Sequence, residues 1–341
     1  MSRRGWLLFA AMCLIWGIPY LLIRVAVRDL SPATVVFLRT GLGALVLVPV
    51  AVRRGGFAEL VVRWRPLLFY TAIEVAIPWW LLSDSERHLS SALAGLLLAA
   101  VPLFAIVAGR VAGTSEVVDR SRLFGLLLGA GGVAALVGLQ LGHIDVLAVG
   151  EVLLTALGYA VGPLILTRRL ADLPAVTVVA ASLALSSLAW APAAAVSWPA
   201  SVSAKAVASV VALALVCTAA AFLVFFALIA EVGPSRATVF TFINPAVAIA
   251  LGVAVLGERF TTGMAVGFPL VLAGSFLATR LSPTSVAPPR SPGRREARWR
   301  RRSEQLPPHA RRSPRPSARP STTAPGAAPS DRTSGDRPAA R

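Results

Sequence analysis

The 341-residue chain has few of the residues on which soluble domains, disulfide scaffolds and metal sites depend. Only 14% of its residues are charged and 56% are hydrophobic, with a mean hydropathy of +0.72. That composition excludes a soluble globular domain of this size. Both cysteines, Cys13 and Cys217, fall in apolar runs, which excludes a disulfide framework. The three histidines, His88, His143 and His309, lie too far apart in the sequence to suggest a metal site.

The apolar runs also lack the side-chain patterns that most enzymes need. They contain no paired carboxylates, no histidine cluster and no glycine-rich phosphate loop. Asp84 and Glu86, separated by one residue in a loop, give little support for a membrane-embedded enzyme. We therefore expect no enzyme, no cofactor and no metal. Two alternatives stay open: a membrane enzyme without a recognisable catalytic motif, and a solute channel, although no ring of charge or filter-like loop is evident.

What the chain has instead is ten apolar segments, most of them about long enough to cross a ~30 Å hydrocarbon layer at 1.5 Å per residue. No small-residue cleavage site follows the first segment, so we expect it to remain as a helix. The composition predicts an all-α, multi-pass protein of the plasma (inner) membrane. The predicted spans are residues 6–27, 33–52, 67–82, 90–112, 123–139, 149–167, 175–196, 206–230, 235–256 and 264–281.

A duplicated pattern divides the ten spans into two halves. Matched residues stand 142 or 143 positions apart, among them Pro102 and Pro245, Gly125 and Gly267, and Gly132 and Gly274. Internal similarity at this period indicates two structural repeats. Because each half has five spans, an odd number, the second half enters the membrane the other way up, as in many secondary transporters. We predict a first five-helix repeat over 6–140, a second over 149–281, and a tail over 282–341.

The charged residues predict the orientation and the nature of the tail. The short loops of one side carry twelve Arg, whereas the other side has only Arg28, Arg87, Lys205 and Arg259. Positive loops face the cytoplasm, so both termini are predicted to be cytoplasmic. Residues 281–341 hold 14 Arg against four acids and almost no large apolar side chains, which predicts disorder. We expect this basic tail to contact anionic lipid headgroups and not nucleic acid.

Polar residues inside the spans are the candidates for solute recognition, because ionisable groups at bilayer depth are costly and normally face a bundle interior. On the first span, Trp16, Tyr20 and Arg24 recur every four residues, which predicts one helix face. The predicted solute-binding residues are Trp16, Tyr20, Tyr70, Glu74, Tyr159 and Asn244. Arg24 and Arg39 are predicted as gating or ion-pair residues, and Pro78, Pro102 and Pro245 as helix kinks.

Glu74 is the predicted proton-sensitive group of the central cavity. It lies near the middle of the third span, beside Tyr70, where a carboxylate is costly to desolvate. The repeat places Cys217 opposite it, so symmetric packing does not demand an acid. The alternative is a static ion pair with Arg39. A different acid, Glu258, is expected to cap the start of the tenth helix.

The sequence contains several short motifs. Their order and spacing together are more specific than any single motif. They are Trp16-Gly17, Pro32 with Arg39, Asn244-Pro245, Leu256-Gly257-Glu258, Gly267 and Ala273-Gly274. Together they resemble the EamA family of the drug/metabolite transporter superfamily, over about residues 6–280. In the first copy, Gly113-Thr114-Ser115-Glu116 replaces the LGE turn. The resemblance implies secondary active transport of a small organic metabolite or drug-like solute by alternating access. We expect an exporter and leave proton coupling, the solute and the oligomeric state open.

Overall fold

The computed structural model describes residues 1–113, 120–138, 145–233 and 237–279, and within these ranges the chain forms helices and no strand. In chain order the helices are α1 (Arg3–Ala26), α2 (Pro32–Arg54), α3 (Trp64–Ser85), α4 (Ser91–Val111), α5 (Arg120–Gly138), α6 (Val146–Arg169), α7 (Ala175–Val196), α8 (Ala204–Val232), α9 (Asn244–Leu256) and α10 (Thr262–Thr279). A short helix, Phe57–Val62, precedes α3. The predictions for the 282–341 tail, for Glu116 and for His143 lie outside the described residues.

Ten apolar helices stand where ten spans were predicted. Seven of them are long and apolar enough to cross a membrane, whereas the apolar parts of α5, α9 and α10 are shorter. The predicted bounds of α7 are those observed. The protein is therefore an all-helical, multi-pass membrane protein, as its composition predicted.

Irregular turns interrupt or precede several of the helices. The first is broken after Ile15 and resumes at Pro19. Two 3₁₀ turns, Leu98–Ala100 and Thr238–Phe242, stand just before the helical segments that contain Pro102 and Pro245 in their first turns. A proline is tolerated in a first turn because its missing N–H would have no intrahelical partner there. Pro78 likewise lies in the first α-turn after a π-helical segment.

The helix contacts repeat when the two halves are exchanged. Helix α1 packs on α8, and its equivalent α6 packs on α3. Likewise α2 contacts α8, while α7 contacts α3. Equivalent helices also meet directly, because α2 packs on α7, α4 on α9 and α5 on α10. The two halves therefore interlock along their whole length and do not stand side by side as separate bundles.

Equivalent residues tie the halves together at opposite ends of the bundle. Asp29 of the α1–α2 connection accepts a hydrogen bond of 2.9 Å from the backbone N–H of Ser203. Its repeat counterpart Asp172 instead pairs with Arg63, at 2.5 and 2.6 Å. The hydroxyl of Thr177 also donates to the Gly55 carbonyl oxygen at 2.7 Å. Because these connections lie at opposite ends, the repeats are inverted, as the odd number of spans requires.

Glu258 caps a helix, but not the one that was predicted. Its carboxylate accepts hydrogen bonds from the Ser91 N–H at 2.8 Å, the Ser91 hydroxyl at 3.1 Å and the Ala92 N–H at 3.0 Å. These groups form the start of α4, whereas Thr261 accepts from Met264 at the start of α10. The prediction of a local cap was wrong because the α9–α10 turn projects Glu258 towards the neighbouring helix α4.

Candidate functional site

Polar side chains of α2, α3 and α8 meet inside the bundle around Arg39. Only 6% of Arg39 is exposed. Its side chain therefore does not extend to a membrane surface, unlike many long basic side chains near helix ends. Its guanidinium carbon lies 3.7 Å from the ring centroid of Trp79 on α3. Its Nε donates a hydrogen bond of 3.0 Å to the Thr218 hydroxyl on α8. The ionisable side chains that interact with its charge are Tyr20, Glu86, Tyr159 and Cys217.

Two π-helical segments, one in each half, carry part of this cluster. They span Thr71–Ala76 in α3 and Leu215–Ala220 in α8. Such segments often occur at functional sites because they displace side chains from the regular helix face. Glu74 and Thr218 are each the fourth residue of their segment, so Thr218 is the structural counterpart of Glu74. The repeat offset of 143 pairs Glu74 with Cys217, which is the third residue of the second π segment and lies next to Thr218.

Glu74 lies against α6, where two glycines allow a close approach. A Cβ built on Gly162 would come within 2.8 Å of the Glu74 Cβ, and one on Gly158 would lie 2.5 Å from the Ile73 carbonyl oxygen. The Oε2 atom of Glu74 is buried and has no hydrogen-bond partner among the described residues. No salt bridge joins Glu74 to Arg39, so the structure does not contain the alternative ion pair.

The polar backbone atoms around the α3 π segment are satisfied by neighbouring helices. The Trp190 indole N–H of α7 donates to the Ala76 carbonyl oxygen at 3.0 Å. The Thr155 hydroxyl of α6 lies 3.2 Å from the Pro78 carbonyl oxygen. In a membrane interior such partners replace water, since an unsatisfied backbone group would be costly there. The segment is thus held in place from both sides.

Three of the predicted aromatic residues lie near this cluster. Tyr20 and Tyr159 interact electrostatically with each other and with Arg39. The Tyr20 ring also packs on α4, where a Cβ at Gly95 would lie 3.3 Å from its Cδ2. Tyr70 interacts with Glu74 but is buried in a separate apolar cluster. The structure therefore brings Tyr20, Glu74, Tyr159 and Arg39 together, with Tyr70 at the edge.

Trp16 and Asn244 lie elsewhere, so the prediction of a continuous face from Trp16 to Arg24 was wrong. The break after Ile15 turns Trp16 towards α8, where its ring centroid lies 5.1 Å from that of Phe225. With its amide oriented to satisfy its hydrogen bonds, Asn244 donates from its nitrogen to the carbonyl oxygens of Cys13 and Phe240, both at 3.2 Å. Periodicity could not reveal this, because i, i+4 spacing places side chains together only in an unbroken helix.

Arg24 and Glu86 form a second polar pair near the end of α3. Arg24 donates from Nη1 to the Glu86 carbonyl oxygen. Glu86 is completely buried, and neither carboxylate oxygen has a hydrogen-bond partner among the described residues. The charges of Arg24 and Arg39 both interact with Glu86, but no salt bridge joins either arginine to its carboxylate. This burial could not be predicted, since an acid just after an apolar span normally lies in a solvated loop.

The comparisons with known proteins agree with this architecture. The EamA-like transporter family model matches residues 3–138 and again residues 147–280. The chain is 25% identical over 295 residues to the uncharacterized transporter YvbV of Bacillus subtilis (strain 168), covering 84% of this chain and 95% of that protein. A solved crystal structure superposes with a TM-score of 0.58 at 19% identity, over 82% of this chain and 97% of the other, which shows the fold alone. The chain belongs to the EamA-like transporter family, within the drug/metabolite transporter superfamily.

Proposed function

We propose that this membrane transporter is a secondary active exporter of a small organic metabolite or drug-like solute, working by alternating access between its inverted halves. The observation that supports the mechanism is the pair of equivalent ties at opposite ends of the bundle. If one tie opens while the other stays closed, the polar cluster around Arg39 faces one side of the membrane at a time. Inverted repeats around a midplane site suit such rocking.

Flux through the purified full chain in liposomes tests this proposal. A comparison of metabolites in cells with and without the protein first identifies the solute. We expect saturable uptake that is driven by a gradient and accelerated by unlabelled solute on the opposite side, because a carrier must bind on one face and release on the other. Conductance that does not saturate would favour a channel, and chemical conversion of the solute would favour an enzyme.

Proton coupling through Glu74 is testable with Glu74→Gln. The substitution keeps the side-chain shape but removes the proton that a buried acid can gain and lose. We expect the variant to fold and to bind solute while its transport rate no longer changes with pH. Glu59→Gln, at an exposed position before α3, is the matched control. Transport with the wild-type pH profile in Glu74→Gln would contradict this role.

Opening of the Arg63–Asp172 tie should be visible by hydrogen–deuterium exchange. Hydrogen bonds from Arg63 lower the pKa of Asp172, so the tie is present at neutral pH and is lost as pH falls through that lowered pKa. We expect Arg63→Gln to speed exchange in the α2–α3 and α6–α7 connections and to leave the α1–α2 connection unchanged. Asp29→Ala, which removes the acceptor for the Ser203 N–H, should do the reverse. Equal acceleration at both ends in either variant would argue against separate gates.

A further inference from the structure

Arg39 has no charged partner, although it is buried in a membrane bundle. Among the described residues, no carboxylate lies within ion-pair distance of its guanidinium. The charge of Glu86 interacts with that of Arg39, but no salt bridge joins Arg39 to Glu86 or to Glu74. A buried cation without a counter-ion is unfavourable, so its presence calls for a role beyond packing.

The hydrogen bonds of Arg39 leave most of its donors available. Its Nε is taken by Thr218, and Trp79 covers one face of the planar group. Nε is the only nitrogen of the guanidinium that donates a hydrogen bond to a described residue. A guanidinium fork held in this way matches two oxygens of a carboxylate or phosphate, which it can bind through paired hydrogen bonds. The phenols of Tyr20 and Tyr159, its electrostatic neighbours, add further donors of the type that bind anionic oxygens.

We propose that the Arg39 guanidinium binds the acidic group, a carboxylate or a phosphate, of an anionic organic solute. This inference rests on the proposed transport function and specifies the class of its solute. The Trp79 ring covers the guanidinium, and Tyr20 and Tyr159 interact with its charge, so aromatic side chains are available for the apolar part of such a molecule. Thr218, from the π segment of the opposite half, positions the guanidinium by accepting from Nε.

Binding to the purified full chain in an uncharged detergent tests the inference without requiring transport. The probes are benzoate, phenyl phosphate and the neutral benzamide at equal concentrations, with sodium chloride matching the ionic strength. A ligand that binds only the folded protein raises the midpoint of thermal unfolding. We expect benzoate or phenyl phosphate to raise it by several degrees and benzamide not to raise it. The two anions distinguish a carboxylate site from a phosphate site. Equal shifts with benzamide, or no shift with either anion, would overturn the proposal.

Variants separate recognition from a structural role. Arg39→Met removes a buried unpaired charge, so we expect the ligand-free protein to unfold at a higher temperature and the anion shift to disappear. A merely structural Arg39 would instead give a lower midpoint. Arg39→Lys is the second test, for use if Arg39→Met does not fold. It keeps the charge but loses the planar fork, so we expect it to weaken anion binding about fivefold or more. Wild-type affinity in Arg39→Lys would count against the proposal.

Arg24→Met is the matched control, because that arginine, unlike Arg39, donates from an Nη group to a main-chain carbonyl oxygen, that of Glu86. We expect it to unfold at a lower temperature than the wild type while retaining an anion shift. Loss of the shift in this variant, with the shift kept in Arg39→Met, would place the anion at Arg24 and overturn the assignment. Anion binding without flux in liposomes would leave this inference standing and remove the transport proposal. Flux of a solute without an acidic group would do the opposite.

Discussion

Replacing Gly274 with leucine is expected to prevent the protein from folding. Gly274 is where α10 meets α5 most closely, and a Cβ there would lie 2.5 Å from the Gly129 Cα and 2.6 Å from the Gly125 carbonyl oxygen. These are backbone atoms, so no side chain can rotate away, and the two helices must separate. Close backbone approach through small residues is a main source of helix association in membranes. Overpacking of this kind costs about 1–3 kcal/mol and occasionally more, and we expect the upper end here.

The measurement is the yield of monodisperse protein in size-exclusion chromatography after detergent extraction. Gly131→Leu on α5 is the control, because Gly131 is exposed and a Cβ there meets nothing within 4 Å. Its immediate neighbour Gly132 faces α10, where a Cβ would lie 2.6 Å from the Val271 nitrogen. Gly132→Leu should therefore behave like Gly274→Leu. A normal yield of Gly274→Leu would mean that the α5–α10 contact is not required.

The second large effect is expected from Glu258→Ala. In this variant the backbone N–H groups of Ser91 and Ala92, at the start of α4, lose their acceptor. Both residues are completely buried. An unsatisfied buried donor costs about 1–3 kcal/mol, so the loss of both acceptors should cost about 2–6 kcal/mol in total. Ser90 still caps α4 through its hydroxyl bond to the Leu93 N–H, and this limits the damage.

Thermal unfolding in detergent measures this loss, with Arg259→Ala as the control at the adjacent, exposed position. Glu258→Gln keeps one carbonyl acceptor, so its midpoint should fall between those of the wild type and Glu258→Ala. Equal midpoints for Glu258→Ala and Arg259→Ala would show that the cap contributes little to stability.

The glycines that defined the repeat show why much of this fold could be predicted. Gly132 and Gly274 recur in both halves because each lies where α5 and α10 touch. Long apolar runs identify spans by composition alone, and for that reason α7 was predicted with its observed bounds. The polar residues of the bundle interior could be identified from the sequence because few polar residues occur in long apolar runs. Tyr20, Arg39, Glu74 and Tyr159 were found in this way.

What could not be predicted depends on departures from regular helices and on distant contacts. The break after Ile15 separates Trp16 from Tyr20, although their spacing indicates one face. Glu258 contacts a helix start 167 positions away, which no local capping pattern indicates. The burial of Glu86 likewise arises only when the end of α3 packs against α1. Such features are set by tertiary packing, which overrides the local signals.

The contacts that tie the halves together differ in chemistry between the two ends of the bundle, so dissolved salt should affect one end more than the other. The end held by Arg63 and Asp172 carries a bidentate ion pair between exposed side chains, whereas the equivalent Asp29 accepts from a neutral backbone N–H. Dissolved salt screens exposed charge pairs, with a Debye length of about 10 Å at 0.1 M. Raising the ionic strength should therefore loosen the first end more than the second and shift the resting population towards the state open at Arg63. Under the alternating access that we propose, ionic strength would then change which side of the membrane the empty carrier faces without any change in solute.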